Sequence, residues 1–134
     1  MTTIKQYNTA SALDLAEQAN VFFTKSISIE DPTNAEDIGL FFTDAAITIV
    51  QMNAVLVGSS TPSVTWTIRH NADRSATGTE VVTSGTATTS VTTGSEVTSF
   101  NDATIVADAW VWLETTAQSG TVTQITVTIK YTID

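Results

Sequence analysis

The sequence predicts an all-β chain, a jelly-roll-like antiparallel β-sandwich of about eight strands with an N-terminal extended arm or short helix. Three observations predict it. From Gln124 to Asp134 every second residue is apolar (Ile125, Val127, Ile129, Tyr131, Ile133), with Thr126, Thr128, Lys130 and Thr132 between them, which is the period of a half-buried strand. Ala109 to Leu113 is apolar on both faces, so this strand is either central in a sandwich or covered on its second face by another subunit. Clusters of Gly, Pro, Ser, Asn and Asp recur between short β-branched runs, the spacing of a sandwich or barrel.

Taken in order, Met1 to Thr9 has no periodicity and reads as an arm, after which Thr9 or Ser11 could cap a short helix through Ala12 to Gln18. Residues 1–25 are expected to form this arm and 26–134 the sandwich. The arm either packs back on its own domain or reaches a neighbouring subunit or host lattice. Ile27 and Ile29 open the first strand, and Glu30 to Asn34 end it with a turn cluster. The second strand, Asp37 to Phe42, is expected to carry Ile38, Leu40 and Phe42 on one face and Gly39 and Phe41 on the other. Ala46 to Val57 reads as a bent strand with a bulge near Gln51 to Asn53, followed by a loop at Gly58 to Pro62. Val64, Trp66 and Ile68 alternate with Thr65, Thr67 and Arg69. Gly85 and Gly94 then divide Thr79 to Phe100 into short, weakly apolar pieces, the mark of edge strands or a surface hairpin. Gln118 to Thr121 supplies a turn signal, which makes the tryptophan run and the C-terminal strand an antiparallel pair.

Composition bounds the function. The 134 residues carry a net charge of −9 with five Lys and Arg, too few to build the basic patch that nucleic acid or an anionic membrane surface requires. Acidity suits solubility at high copy number or docking on a basic surface. With no cysteine there is neither a disulfide framework nor a thiolate metal site. The start of the chain has one Lys and no apolar run, so no secretory signal is expected. Ala45 to Val57 is too short and too interrupted to span a bilayer.

The residues that could carry chemistry are few. Glu30, Asp31, Glu36, Asp37 and Asp44 are close in sequence, but the spacing of a dedicated calcium loop is absent, and a solvated acidic face is the expectation. His70 is the only histidine. Asp73 and Ser75 follow it without a nucleophile-elbow context, so a polar loop is expected there, with Arg74 paired to Asp73 or to a neighbouring chain. One histidine cannot build the multi-histidine site of enzymatic double-stranded barrels. No enzyme and no cofactor are expected.

Ser63 to Arg69, Asp73 to Ser75, Gly78 to Val82, Phe100 to Ile105, Trp110 to Val122 and Thr126 to Tyr131 together resemble a group of small tailed-phage virion proteins. The pattern covers Ile38 to Tyr131 and leaves the arm outside. The resemblance implies a jelly-roll domain, commonly a homotrimer, that serves either as a capsid decoration (cement) protein or as the tip of a fibre or spike, with no catalytic residues. Its partners would be itself and the major capsid protein or another virion protein, on the capsid exterior or the tail. On this reading Trp110 or Trp112 lies at a subunit contact, the alternative being that both fill the monomer's own core. Ile4, Tyr7, Leu13 and Leu15 are the candidate shell-anchoring residues of the arm. A glycan is a partner only under the second reading, a receptor-binding module whose exposed aromatics stack on sugar rings. The chain has no heptad or glycine-repeat shaft, which favours decoration over a fibre tip.

Overall fold

The computed structural model describes residues 21–134, and these residues form eight strands of one antiparallel sheet. The strands are β1 (Phe23–Glu30), β2 (Asp37–Thr43), β3 (Ile47–Asn71), β4 (Thr79–Glu80), β5 (Thr86–Thr88), β6 (Ser95–Val97), β7 (Thr104–Ile105) and β8 (Ala109–Ile133). Strand β1 starts at Phe23, ahead of the expected Ser26. The helix expected over Ala12 to Gln18 and the arm residues Ile4, Tyr7, Leu13 and Leu15 lie outside the described residues.

The sheet is built round β3 and β8, each 25 residues long, which pair from Ile47 opposite Ile133 to Asn71 opposite Trp110. Strands β1 and then β2 follow the far side of β8, from Phe23 opposite Tyr131 to Thr43 opposite Ala109. Strands β4, β5, β6 and β7 follow the far side of β3 in turn, from His70 opposite Thr79 to Ile47 opposite Ile105. Four ribbons therefore lie side by side, and each is broken or bent at the same level, near residues 31–36, 58–63, 89–94 and 118–123. There the sheet folds back on itself. Residues of both halves meet in one core, and β1 of one half touches β2 of the other. The result is the jelly-roll-like sandwich that the sequence predicts.

The crease has a local cause. Pairing jumps from Ser59 opposite Thr121 to Ser63 opposite Ser119, and Ser60 and Thr61 between them take φ of 58° and 57°. Asp31, Gly94 and Gly120 at the same level are also left-handed, at φ 46°, 83° and 67°, the conformation that lets a strand change direction within a residue or two. This corrects two expectations. The signal at Gln118 to Thr121 does not reverse the chain, so the tryptophan run and the C-terminal strand are successive stretches of β8, both paired with β3. Gly58 to Pro62 is not a free loop but the matching bend of β3. A left-handed glycine serves a crease as well as a hairpin, and the apolar rows of both halves decide between them, because each needs β3 beside it.

Alternation delivers the core. In β3, Ile47, Ile49, Met52, Ala54 and Leu56 face inward in one half, and Val64, Trp66 and Ile68 in the other. A register shift between Ile49 and Gln51 resets the phase near the expected bulge. Trp66 is fully buried and donates its Nε1–H to Thr88 Oγ1 at 2.9 Å, which satisfies a polar group that would otherwise be costly to bury. Strand β2 departs from expectation. Ile38 and Leu40 pack against the core as expected, but a bulge between Gly39 and Phe41 adds one residue to the row, so Phe41 joins them while Phe42 turns outward opposite Trp110.

The crease makes a measurable demand on Gly120. A Cβ there would lie 2.6 Å from the Thr61 carbonyl oxygen, whereas one on Gly39 would meet nothing within 4 Å. Gly120→Ala is expected to cost about 2 kcal/mol or more, from left-handed strain plus the clash. Gly39→Ala should stay within about 0.5 kcal/mol. Urea unfolding followed by circular dichroism compares the two; equal midpoints would show that the bend does not need a glycine.

Candidate assembly surface

Strand β8 presents Trp110, Trp112 and Glu114 on the outer face of the half built from β2, β3 and β4, and the two tryptophans meet different fates. Trp112 is fully buried, yet it lies outside the central core. The Arg74 guanidinium sits 4.4 Å from its ring centroid, Gly78 approaches so closely that a Cβ would fall 2.4 Å from Cη2, and Nε1–H donates to Glu114 Oε1 at 2.9 Å. The connection after β3 thus folds over this ring as a roof. Arg74 also pairs with Asp37 and not with Asp73, one of the two partners expected for it. Asp73 instead accepts from the Ser75 amide at 2.9 Å and hydroxyl at 2.7 Å, and these bonds hold its carboxyl below the usual range. Arg69 completes the outer face by bridging Glu114 at 2.7 Å and Glu80 at 3.1 Å.

His70 ends β3 and contacts Asp102 through Nε2 at 3.0 Å. That bond ties the turn at Asn101 and Asp102 to the end of β3, and the amides of the same two residues donate to the Val81 carbonyl just after β4. Asp73 and Ser75 therefore pair with each other, and His70 joins Asp102 instead of either. Among the described residues no group of three His, Asp or Glu side chains could hold a metal ion.

Trp110, in contrast, is 45% exposed and stands against Phe42, 38% exposed, with ring centroids 4.8 Å apart. Both lie at the end of the sandwich opposite the crease, where the sheet halves are joined by the links β2–β3 and β7–β8. The same end carries most of the exposed large apolar side chains of the described residues, Phe22, Phe23, Val106 and Ile133 among them, whereas Val57 and Val91 sit at the level of the crease. A groove of about 180 Å³ runs into this end between Lys25, Phe41, Phe42, Asp44, Tyr131 and Ile133. Tyr131 stacks between Phe23 and Phe41, at 5.9 and 5.7 Å. Burial pushes its phenol above the ordinary value. Lys25 and Lys130 lie over the Phe41 and Phe22 rings, at 5.9 and 4.4 Å.

Comparison with known proteins adds to this geometry. No protein-family model and no curated protein matches the chain. Solved structures do. A chain from the acid-stable capsid structure of Helicobacter pylori bacteriophage KHP30 superposes with a TM-score of 0.50 over 83% of this chain and 86% of that one, at 16% identity. The likeness is one of fold. Looser overlaps occur with a pilus protein of Bacillus endospore appendages (TM-score 0.35, 15% identity, 85% and 90% covered) and with a chain of infectious bursal disease virus, Gt strain (0.38, 12%, 84% and 32%); these two are too loose to carry an argument.

Sequence reasoning singled out Trp110 and Trp112 together. It missed Phe42, Lys25 and the groove, because the bulge at Leu40 shifts the phase of β2 for Phe41 and Phe42 and because β1 was expected to begin after Lys25. A signal was present in Phe41-Phe42: two adjacent aromatics in a short strand must place one ring on each face.

Two outcomes follow from these surroundings. Removing the roof with Arg74→Ala should shift tryptophan emission to the red and make a second ring accessible to acrylamide, at a cost of about 1 kcal/mol; unchanged quenching would show that Gly78 and its neighbours suffice. For Tyr131, a phenol pKa raised in the folded chain means full stability below the unfolded value and a loss as pH rises through and beyond it. Tyr131→Phe should therefore flatten the fall in unfolding free energy between about pH 9 and pH 11, measured by urea titration at each pH. A fall as steep as in the parent chain would exclude this tyrosine as its source.

Proposed function

We propose that this chain is a structural virion protein that decorates and reinforces a phage capsid by binding the assembled shell, as a homotrimer on the capsid exterior. One observation carries the reading: among the described residues, a polar, acidic sandwich gathers most of its exposed large apolar side chains at one end, as a subunit built for assembly does. The fold adds support, since a chain with the same sandwich is part of a phage capsid structure. The net charge of the chain, −9, suits contact with a basic face of the major capsid protein, and Ile4, Tyr7, Leu13 and Leu15 are the residues proposed to anchor there. The role involves no catalytic step and no cofactor.

A second reading rests on the Phe42–Trp110 pair. Exposed rings at this spacing offer an apolar platform on which a sugar ring could stack, which would make the chain a tail-fibre or baseplate tip that recognises a host glycan. Immunogold labelling of intact particles with an antibody against this chain separates the two. Label spread over the heads is the expected result, whereas label confined to the tail would overturn decoration in favour of the receptor-binding reading.

A further inference from the structure

We infer that the Phe42–Trp110 pair is a docking point for an arginine side chain of a basic partner protein, with the guanidinium stacked on the Trp110 ring and its N–H groups taken by carboxylates beside the pair. The inference rests on the proposed decoration role and names the chemistry of the shell surface that this face would meet.

The chain itself holds the pattern for such a contact. Trp110 and Trp112 stand on the same face of β8, two residues apart. The Arg74 guanidinium lies over Trp112, 4.4 Å from the ring centroid, and the same group pairs with Asp37 on the neighbouring strand β2. A guanidinium is flat and weakly hydrated, so it stacks on an indole while its edge still serves a carboxylate. Trp110 has the open ring, 45% exposed, but no arginine above it. Three carboxylates border it. Asp44 and Asp108 follow the next rung, Thr43 opposite Ala109, where the Asp108 amide donates to the Thr43 carbonyl at 2.7 Å. On the other side Asn71 of β3 lies opposite Trp110, and its Oδ1 accepts from the Asp73 amide at 2.9 Å. All three aspartates are exposed, and none forms a salt bridge among the described residues.

The cations of the chain select the partner. Its two arginines are both engaged, Arg74 by Asp37 and Arg69 by Glu80 and Glu114, so a second copy has no free guanidinium to offer. Another protein must supply it. A basic surface is drawn to a chain of net charge −9, and an aromatic pair bordered by carboxylates gives that general attraction a fixed position. A neutral sugar would stack on the rings but bring no charge to the three aspartates. Covering the pair also gives the bulge at Leu40 a role, since without that extra residue Phe42 would face inward.

Titration of the full chain with acetyl-triarginine amide, acetyl-trilysine amide and chitotriose tests this, with binding measured by calorimetry and the Trp110 indole N–H followed by nuclear magnetic resonance. Triarginine is expected to move the Trp110 signal and to bind about fivefold or more tightly than trilysine of the same charge. Trp110→Ala, and Asp44→Asn with Asp108→Asn, should each weaken triarginine binding by about fivefold or more. Glu30→Gln with Glu96→Gln removes the same charge from β1 and β6 and should change it by less than about twofold. All these side chains are exposed, and circular dichroism checks that each variant keeps the strand signal of the parent. Equal binding of the two peptides, or triarginine binding that survives Trp110→Ala, would overturn the inference. So would a Trp110 signal that moves only with chitotriose or only with chain concentration, which would make a sugar or a second copy the occupant. Phage heads labelled by the antibody, with Trp110 unmoved by triarginine, would sink the inference and leave decoration standing. Triarginine held at Trp110 by a chain that labels no head would keep the contact and remove the shell as its partner.

Discussion

Everything in this fold depends on the pairing of β3 with β8 across the crease. Each strand is too long for one layer of a domain this size, and each carries two inward rows that must end up facing one another. Bending both strands at one level lets a single continuous ladder serve both layers, so the core is closed without an inter-sheet connection in its middle. The cost is local: Ser60, Thr61 and Gly120 adopt left-handed conformations, and Gly120 is close-packed against the Thr61 carbonyl. The shorter strands then have no independent register to find, since each lies beside a stretch of β3 or β8 that already exists.

Outside the core, the outer face of the β2–β8–β3–β4 half is ordered by charge. Asp37, Arg74, Glu114, Arg69 and Glu80 cross it from edge to edge, and Trp112 lies beneath them. Individually such partly exposed pairs contribute little. Their placement matters more than their energy, because they close one tryptophan off from solvent and leave the adjacent aromatic position, two residues earlier in the same strand, uncovered. That contrast makes Trp110 a surface residue in a strand whose sequence looks uniformly apolar.

Much of this architecture was legible in the sequence, and the failures share one cause. Period-two rows identified the buried faces of β3 and the C-terminal stretch of β8, and the glycines at 85 and 94 marked the broken edge made by β5 and β6. Register was not legible. A one-residue bulge at Leu40 moved Phe42 to the outside, and the turn-like run at Gln118 to Thr121 bent a strand instead of ending it. In both places local residues permit two geometries and distant pairing chooses. The burial of Trp112 was hidden for a related reason, since its roof comes from Arg74 and Gly78, on a connection that carries no pattern of its own. Among the candidate site residues, the sequence therefore separated aromatics from polar loops but could not tell the covered ring from the open one.

The placement of the first strand, β1, beside the last stretch of β8 has a mechanical consequence. Phe23, where β1 begins, lies opposite Tyr131, near where β8 ends, so a load drawn between those two points pulls the ladder open one rung at a time and meets little resistance. A load that enters instead through the crease or through the face of the sheet is shared by many rungs at once. The domain is therefore weak when peeled from its first strand and strong when pressed or sheared, a directional property set by strand order alone.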